Sequence, residues 1–248
     1  MRKTLKIGLV LLLITGLSGC VFLRLNSFRK QLAKFPKYFS FSLIDEKPVM
    51  SCKKPVLFAS DLAWLGGLPP SVESGDKKES TAMWNLTKLY PDQKADNLDK
   101  ENRDISIVLH SEKKKVKTVV LPASFSHIIN EAMIDHVFKE ADVADLEKDE
   151  TSAEWNMSNS KLLPTMSDIL KVAGKPYAWT ETDSEIHINF RYHLEGQETP
   201  EDQVDVMGTL AYTKPNRSFI WSDVRVGKIR FSTKSSGKGM FKVKIRRS

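Results

Sequence analysis

Cysteine is scarce in this chain: there are two in 248 residues, Cys20 and Cys52. That excludes a disulfide-rich scaffold and a multi-cysteine zinc module. Glycine (12) and proline (11) are sparse, which excludes collagen-like and low-complexity architecture. The sequence has no Gly-x-Ser-x-Gly nucleophile elbow, no His-Glu-x-x-His helix and no Gly-rich phosphate loop. Acid is missing from Ser232 to Ser248, where Lys234, Lys238, Lys242, Lys244, Arg246 and Arg247 stand alone. What is present is ordinary for a globular chain. Apolar residues make up 41% and charged residues 28%, enough for a packed core and too few charges for wholesale disorder. The net charge of +7 is inflated by three cations at the extreme N-terminus, so the chain is not read as a nucleic-acid binder.

Those cations, Arg2, Lys3 and Lys6, precede an apolar run from Ile7 to Ile14 interrupted only by Gly8. Charged head, apolar stretch and small residues before a cut make a secretory signal. Leu17-Ser18-Gly19-Cys20 then resembles the lipobox of bacterial lipoproteins. The resemblance implies cleavage between Gly19 and Cys20, with Cys20 acylated and anchored in a membrane. It also implies a bacterial envelope location. Val21 follows the lipidated cysteine, which by lipoprotein sorting implies the outer membrane, facing the periplasm. An uncleaved anchor is the alternative, since Ile7 to Leu23 carries no charge and approaches the lower limit for a span. With Cys20 acylated, Cys52 is either a buried thiol or an intermolecular partner.

The rest of the sequence repeats itself. Ser60-Asp61 and Ser167-Asp168 each open about two helical turns that end in Gly and then Pro. Aromatic strand patterns follow in both copies, Ala82 to Leu86 and Ile186 to Tyr192. The second alternates without fault: Ile186, Ile188, Phe190 and Tyr192 on one face, His187, Asn189, Arg191 and His193 on the other. Further strands are predicted over 105–109 and 206–212, and over 116–121 and 220–231, with Gly227 as a bulge. Longer helices are predicted over 27–35 and 126–146, and a linker over 145–160. The expected fold is α+β: two tandem modules, each of two helices packed on a three- or four-stranded antiparallel sheet. The expected divisions are a signal peptide (1–19), a lipidated tether (20–26), two modules (27–124 and 125–232) and a basic C-terminal tail (233–248).

Short helix, Gly-x-Pro and aromatic strand together resemble the SmpA/OmlA lipoprotein family and the related β-lactamase-inhibitor-protein fold. The matching residues are Ser60 to Pro70 with Trp84, and Ser167 to Pro176 with Phe190 and Tyr192. The resemblance implies non-enzymatic envelope modules that assist outer-membrane assembly or bind a protein through an open sheet face. The chain departs from the single-copy members by its second unit, and from the secreted inhibitors by its anchor and its lack of disulfides.

No catalytic residue, metal ligand set or cofactor site is assigned. Asp135 and His136 diverge on a helix, and His136 falls on an apolar stripe, as a core histidine does. The candidate protein contacts are Trp179, Tyr192 and Trp221. Lys242, Lys244, Arg246 and Arg247 are candidate contacts to an anionic surface, as an edge strand, an amphipathic arm or a free tail. The function expected is a membrane-anchored protein-binding or scaffolding module. The alternatives are an inhibitor of a secreted hydrolase, or an envelope enzyme using Glu185, His187 and His193.

Overall fold

The computed structural model describes residues 21–32, 34–90, 104–129, 133–134, 150–156, 163–196, 205–235 and 240–247. Strands dominate, and all those on the main path belong to one antiparallel sheet. In chain order the elements begin with helix α1 over 21–32 and the single turn α2 (Phe35–Tyr38). A hairpin of β1 (Phe39–Ile44) and β2 (Lys47–Cys52) and the eight-residue helix α3 (Ala59–Gly66) follow. Next come β3 (Val72–Gly75), β4 (Glu79–Lys88), β5 (Asp104–Glu112) and β6 (Lys115–Val120). A 3-10 turn (Ala123–His127) and β7 (Glu150–Asn156) lead to α4 (Met166–Ala173), again of eight residues. The chain finishes with β8 (Ala178–Glu181), β9 (Glu185–Leu194), β10 (Val206–Thr213), β11 (Phe219–Val226), β12 (Ile229–Ser235) and β13 (Met240–Arg247).

The strands run β1-β2-β6-β5-β4-β9-β10-β11-β12-β13-β7, with β3 beside β4 and β8 beside β9. This corrects the expectation of two separate helix-plus-sheet modules. The order short helix, short strand, long strand, strand, strand does occur twice. The two sets are fused at β4 and β9, where Leu86 faces Leu194, Thr87 faces His193 and Lys88 faces Tyr192. Strands β3 and β8 are four residues each and cover only the first part of β4 and β9. The remainder of each long strand would be an open edge, and pairing the two closes both. Leu86 and Leu194 are buried there. The main core lies on this side of the sheet, where Ile186, Ile188, Phe190 and Tyr192 meet Leu68, Met166 and Tyr212.

The helix stops follow the sequence reading in part. Gly67 caps α3 in the left-handed region (φ 69°), and Gly174 follows α4 at φ 65°. The starts differ. Ser60 and Ser167 lie inside the helices, and Asp61 and Asp168 reach back to the backbone N–H of Phe58 and Thr165, each at 3.0 Å. An aspartate in the first turn satisfies an orphan donor and complements the positive helix end.

Three further expectations are corrected. Gly227 is no bulge: it turns β11 into β12, and the predicted strand over 220–231 is this hairpin. The predicted linker contains β7, an edge strand against β13. Residues 240–247, within the predicted basic tail, form β13 between β12 and β7. Apart from 126–129 and 133–134, the helix predicted over 126–146, with His136, lies outside the described residues.

The two halves also hold each other's helix ends. The Gly66 carbonyl, at the end of α3, accepts from the Lys228 N–H at 2.7 Å. The Ala173 carbonyl, at the end of α4, accepts from the ammonium of Lys88 on β4. Lys88 is buried, with its Nζ 5.1 Å from the Tyr90 ring centroid and 5.2 Å from that of Phe190. A cation at a helix C-terminus between aromatic faces is compensated for its lost hydration only in part, and burial pushes Lys88 down to about 8.

Two predictions follow from this packing. A Cβ on Gly227 would stand 1.9 Å from the Gly66 carbonyl oxygen, at φ 53°. Gly227→Ala is expected to lower unfolding free energy by about 2–4 kcal/mol in urea titration. Lys88 loses its proton in the folded chain well before the ordinary 10.5 of the unfolded one. The unfolded state then binds more protons, so stability is expected to rise between about pH 8 and pH 10, by on the order of 2 kcal/mol. Burial pushes Tyr192 and Tyr212 up, so their titration opposes the rise above about pH 10. Lys88→Met should abolish the rise.

Candidate functional site

Two surfaces combine chemistry-bearing residues: the N-terminal helix with α3, and the sheet face opposite the core.

Helix α1 lies against the body through an inner stripe of Arg24, Phe28, Gln31 and Leu32. Arg24 binds Asp61 in a two-pronged pair, Nε to Oδ2 at 2.7 Å and Nη2 to Oδ1 at 2.6 Å. Asp61 is only 2% exposed, and the guanidinium occupies both of its carboxylate oxygens. The guanidinium carbon also lies 4.4 Å from the Phe58 ring centroid. Further along, Phe28 meets Phe39 edge-on at 5.8 Å, and Gln31 donates to the Lys54 carbonyl at 2.8 Å. Phe35 stacks on Phe39 at 4.7 Å, beside buried Cys52. The helix thus packs on the body from Phe22 and Arg24 onward, within the segment read as the lipidated tether (20–26). Gly19 and Cys20 lie outside the described residues. Among the described residues, no helix is long and apolar enough to cross a membrane.

On the sheet face opposite the main core, where Ala211 and Ser152 are buried and most other described positions are half-buried or exposed, register aligns residues across five neighbouring strands and β7. One rung runs His187, Ala211, Trp221, Lys234, Lys242 and Glu154. The next runs Asn189, Thr209, Asp223, Ser232, Lys244 and Ser152. The third runs Arg191, Met207, Arg225, Arg230, Arg246 and Glu150. Four of the six positions in the third rung are arginines. With strands ~4.8 Å apart, they span roughly 20 Å. Several basic side chains have protein partners: Arg230 is paired with Asp223, Lys242 with Glu154 at 2.7 Å, and Arg191 stacks on Tyr177 at 4.1 Å. Positive charge exceeds negative on these rungs, so the face suits carboxylates or phosphates, which arginine binds through two parallel hydrogen bonds.

The sequence-predicted contacts fare differently. Tyr192, read as a contact, is 5% exposed and packs in the main core. Alternation had already placed it with Ile186 and Phe190. Trp179 is 42% exposed on β8, and its indole N–H donates to Glu181 at 2.8 Å. Lys214 pairs with the same carboxylate at 2.5 Å, and these hydrogen bonds hold Glu181 below the usual carboxylate range. Trp221 is half-buried on the open face, edge-on to His187 at 5.5 Å. Lys242 and Arg246 are exposed and Lys244 is half-buried, all on an interior strand instead of an arm; the Arg247 side chain lies outside the described residues. His187 pairs with Glu185 at 2.7 Å, whereas His193 lies beside Asp205 at 3.5 Å. Among the described residues, no three His, Cys, Asp or Glu side chains gather as a metal site does. The arginine rung escaped the sequence reading, because its members sit on four strands whose register no local pattern reveals.

Arg24→Gln leaves the Asp61 carboxylate buried with one backbone partner. The expected cost is about 3 kcal/mol, with amide exchange over residues 21–32 rising before global unfolding. Comparison of the chain with protein-family models, with curated proteins and with solved structures returns no match.

Proposed function

We propose that this chain is a non-enzymatic lipoprotein of a bacterial envelope, anchored through acylated Cys20, that binds an acidic protein on the open sheet face between β9 and β13. The observation that carries the binding reading is the arginine rung of Arg191, Arg225, Arg230 and Arg246 on one continuous face. A paired sheet surface recognises a partner by charge and register more readily than it encloses a small substrate. Anchoring rests on the charged head, apolar run and Leu17-Ser18-Gly19-Cys20. Its mechanism is tethering plus recognition: confinement at a membrane raises the effective concentration of the face near membrane-associated partners. The scaffolding role extends to outer-membrane assembly if the partner is a β-barrel or its assembly machinery.

The test is crosslinking in native membranes followed by affinity recovery, with radiolabelled palmitate in the growth medium. Wild type is expected to incorporate palmitate and recover an envelope protein. Cys20→Ala should lose both the label and the partner. Arg225→Glu/Arg246→Glu should keep the label and lose the partner. Palmitate in the Cys20→Ala chain would refute the anchor, and undiminished recovery by the charge-reversed chain would refute the binding face. Equal recovery of one soluble hydrolase by all three forms would favour the inhibitor reading instead.

A further inference from the structure

Large apolar side chains are exposed in the first described turn of α1. Phe22 is 57% exposed and Leu23 is 68% exposed. Trp64, on α3, is 41% exposed, and its ring meets Phe22 edge-on at 5.7 Å. The three therefore form one patch that joins two helices. It begins two residues after Cys20. The outward stripe of α1 continues from Phe22 and Leu23 through Asn26 and Ser27 to Lys30, all exposed, and exposed Lys34 stands in the turn just before α2. It changes along its length from apolar to polar to cationic. At ~1.5 Å per residue, Lys30 lies roughly 12 Å along the axis from Phe22. The surrounding chain is cationic: from Val21 to Ile44 it carries Arg24, Arg29, Lys30, Lys34 and Lys37, and the first acid in the whole sequence is Asp45. Arg24 and Asp61 hold α1 against α3, so Phe22, Leu23 and Trp64 keep a fixed relation to the body.

Membrane interfaces are graded in this way. Phe, Leu and Trp enter the boundary between headgroups and acyl chains, while lysines reach the phosphates. Cations near an anionic leaflet each add about 1 kcal/mol of attraction. A protein partner would need complementary acid beside an apolar pocket. A bilayer supplies both at once, and on the anchoring reading it lies next to Cys20 already.

We propose that Phe22, Leu23 and Trp64 form a bilayer-seating patch, inserted at the interface of an anionic phospholipid leaflet, with Lys30 and Lys34 at the phosphates. This rests on the proposed anchoring through Cys20 and goes beyond it. The lipid fixes where the chain sits; the patch fixes how it sits. Arg24 and Asp61 are positioning residues in this arrangement, for they set the angle between α1 and the sheet.

The test uses the full mature protein purified from bacterial membranes and reconstituted into phosphatidylcholine vesicles with roughly 30% phosphatidylglycerol. The phosphatidylcholine is brominated near the headgroup end of its acyl chains, which quenches tryptophan in contact with it. The expected result is a partial loss of emission, coming from one of the 5 tryptophans, abolished in Trp64→Phe and weakened when phosphatidylglycerol is left out. Equal quenching of wild type and Trp64→Phe would overturn the seating, as would no quenching at all. The mass of the N-terminal peptide reports on Cys20 separately. A peptide without acyl chains overturns the anchoring reading and the seating with it. Acylated protein that floats with vesicles but shows no Trp64-dependent quenching overturns the seating alone.

Discussion

The pairing of β4 with β9 is the constraint on which the remainder of this structure depends. Leu86, Thr87 and Lys88 face Leu194, His193 and Tyr192 across it, flanked by bonds from the Glu195 N–H to the Asn85 carbonyl and from the Leu89 N–H to the Arg191 carbonyl. Those few positions turn two local arrangements into one sheet, because β3 and β8 are too short to cover the long strands beside them. Backbone groups at a sheet edge need partners, and here each half supplies the other's. The join then draws in the helix ends: the Lys228 N–H reaches the end of α3, and the Lys88 ammonium reaches the end of α4. Neither contact exists within one half alone. Cooperative unfolding is the physical corollary, since separating the halves opens an edge, strands two carbonyls and exposes Leu86 and Leu194 together.

The sequence was legible where a side chain's surroundings are set by its near neighbours. The alternation of Ile186, Ile188, Phe190 and Tyr192 identified both a strand and its buried face, and burial follows it residue by residue. Gly67 and Gly174 ended helices because only positive φ fits there. Local reading failed where the answer depends on distant partners. Whether two similar segments form two sheets or one is decided at β4 and β9, far apart in sequence. Lys242, Lys244 and Arg246 look like a solvated tail until β12 and β7 are seen on either side. Gly227 carries the signal of a bulge and of a hairpin alike; the nearby Gly66 carbonyl explains why the turn requires glycine. The candidate site divides in the same way. Tyr192 lies on the face that its own periodicity buries, whereas the arginine rung has no signature in linear order at all.

Charge is distributed with some economy. The open face gathers guanidinium groups that pair partly with Asp223 and Tyr177, leaving a surface that is firm but still positive. The N-terminal helix is cationic outside and holds one cation inside, where Arg24 neutralises Asp61. A buried pair of this kind adds little net stability, since both ions lose water. Its value lies in geometry: a two-pronged contact permits one orientation of α1, whereas an apolar contact of equal area would permit several.

Cys52 has a consequence of another kind. It lies in the cluster of Phe35 and Phe39, packed with Phe28 and Leu32, that fastens α1 and α2 to the first hairpin. Burial raises its thiol, so little thiolate forms while the cluster is closed. The chain therefore carries its own clock for helix undocking. A thiol reagent can reach Cys52 only as often as that aromatic seam parts, and the rate of modification counts those openings one molecule at a time.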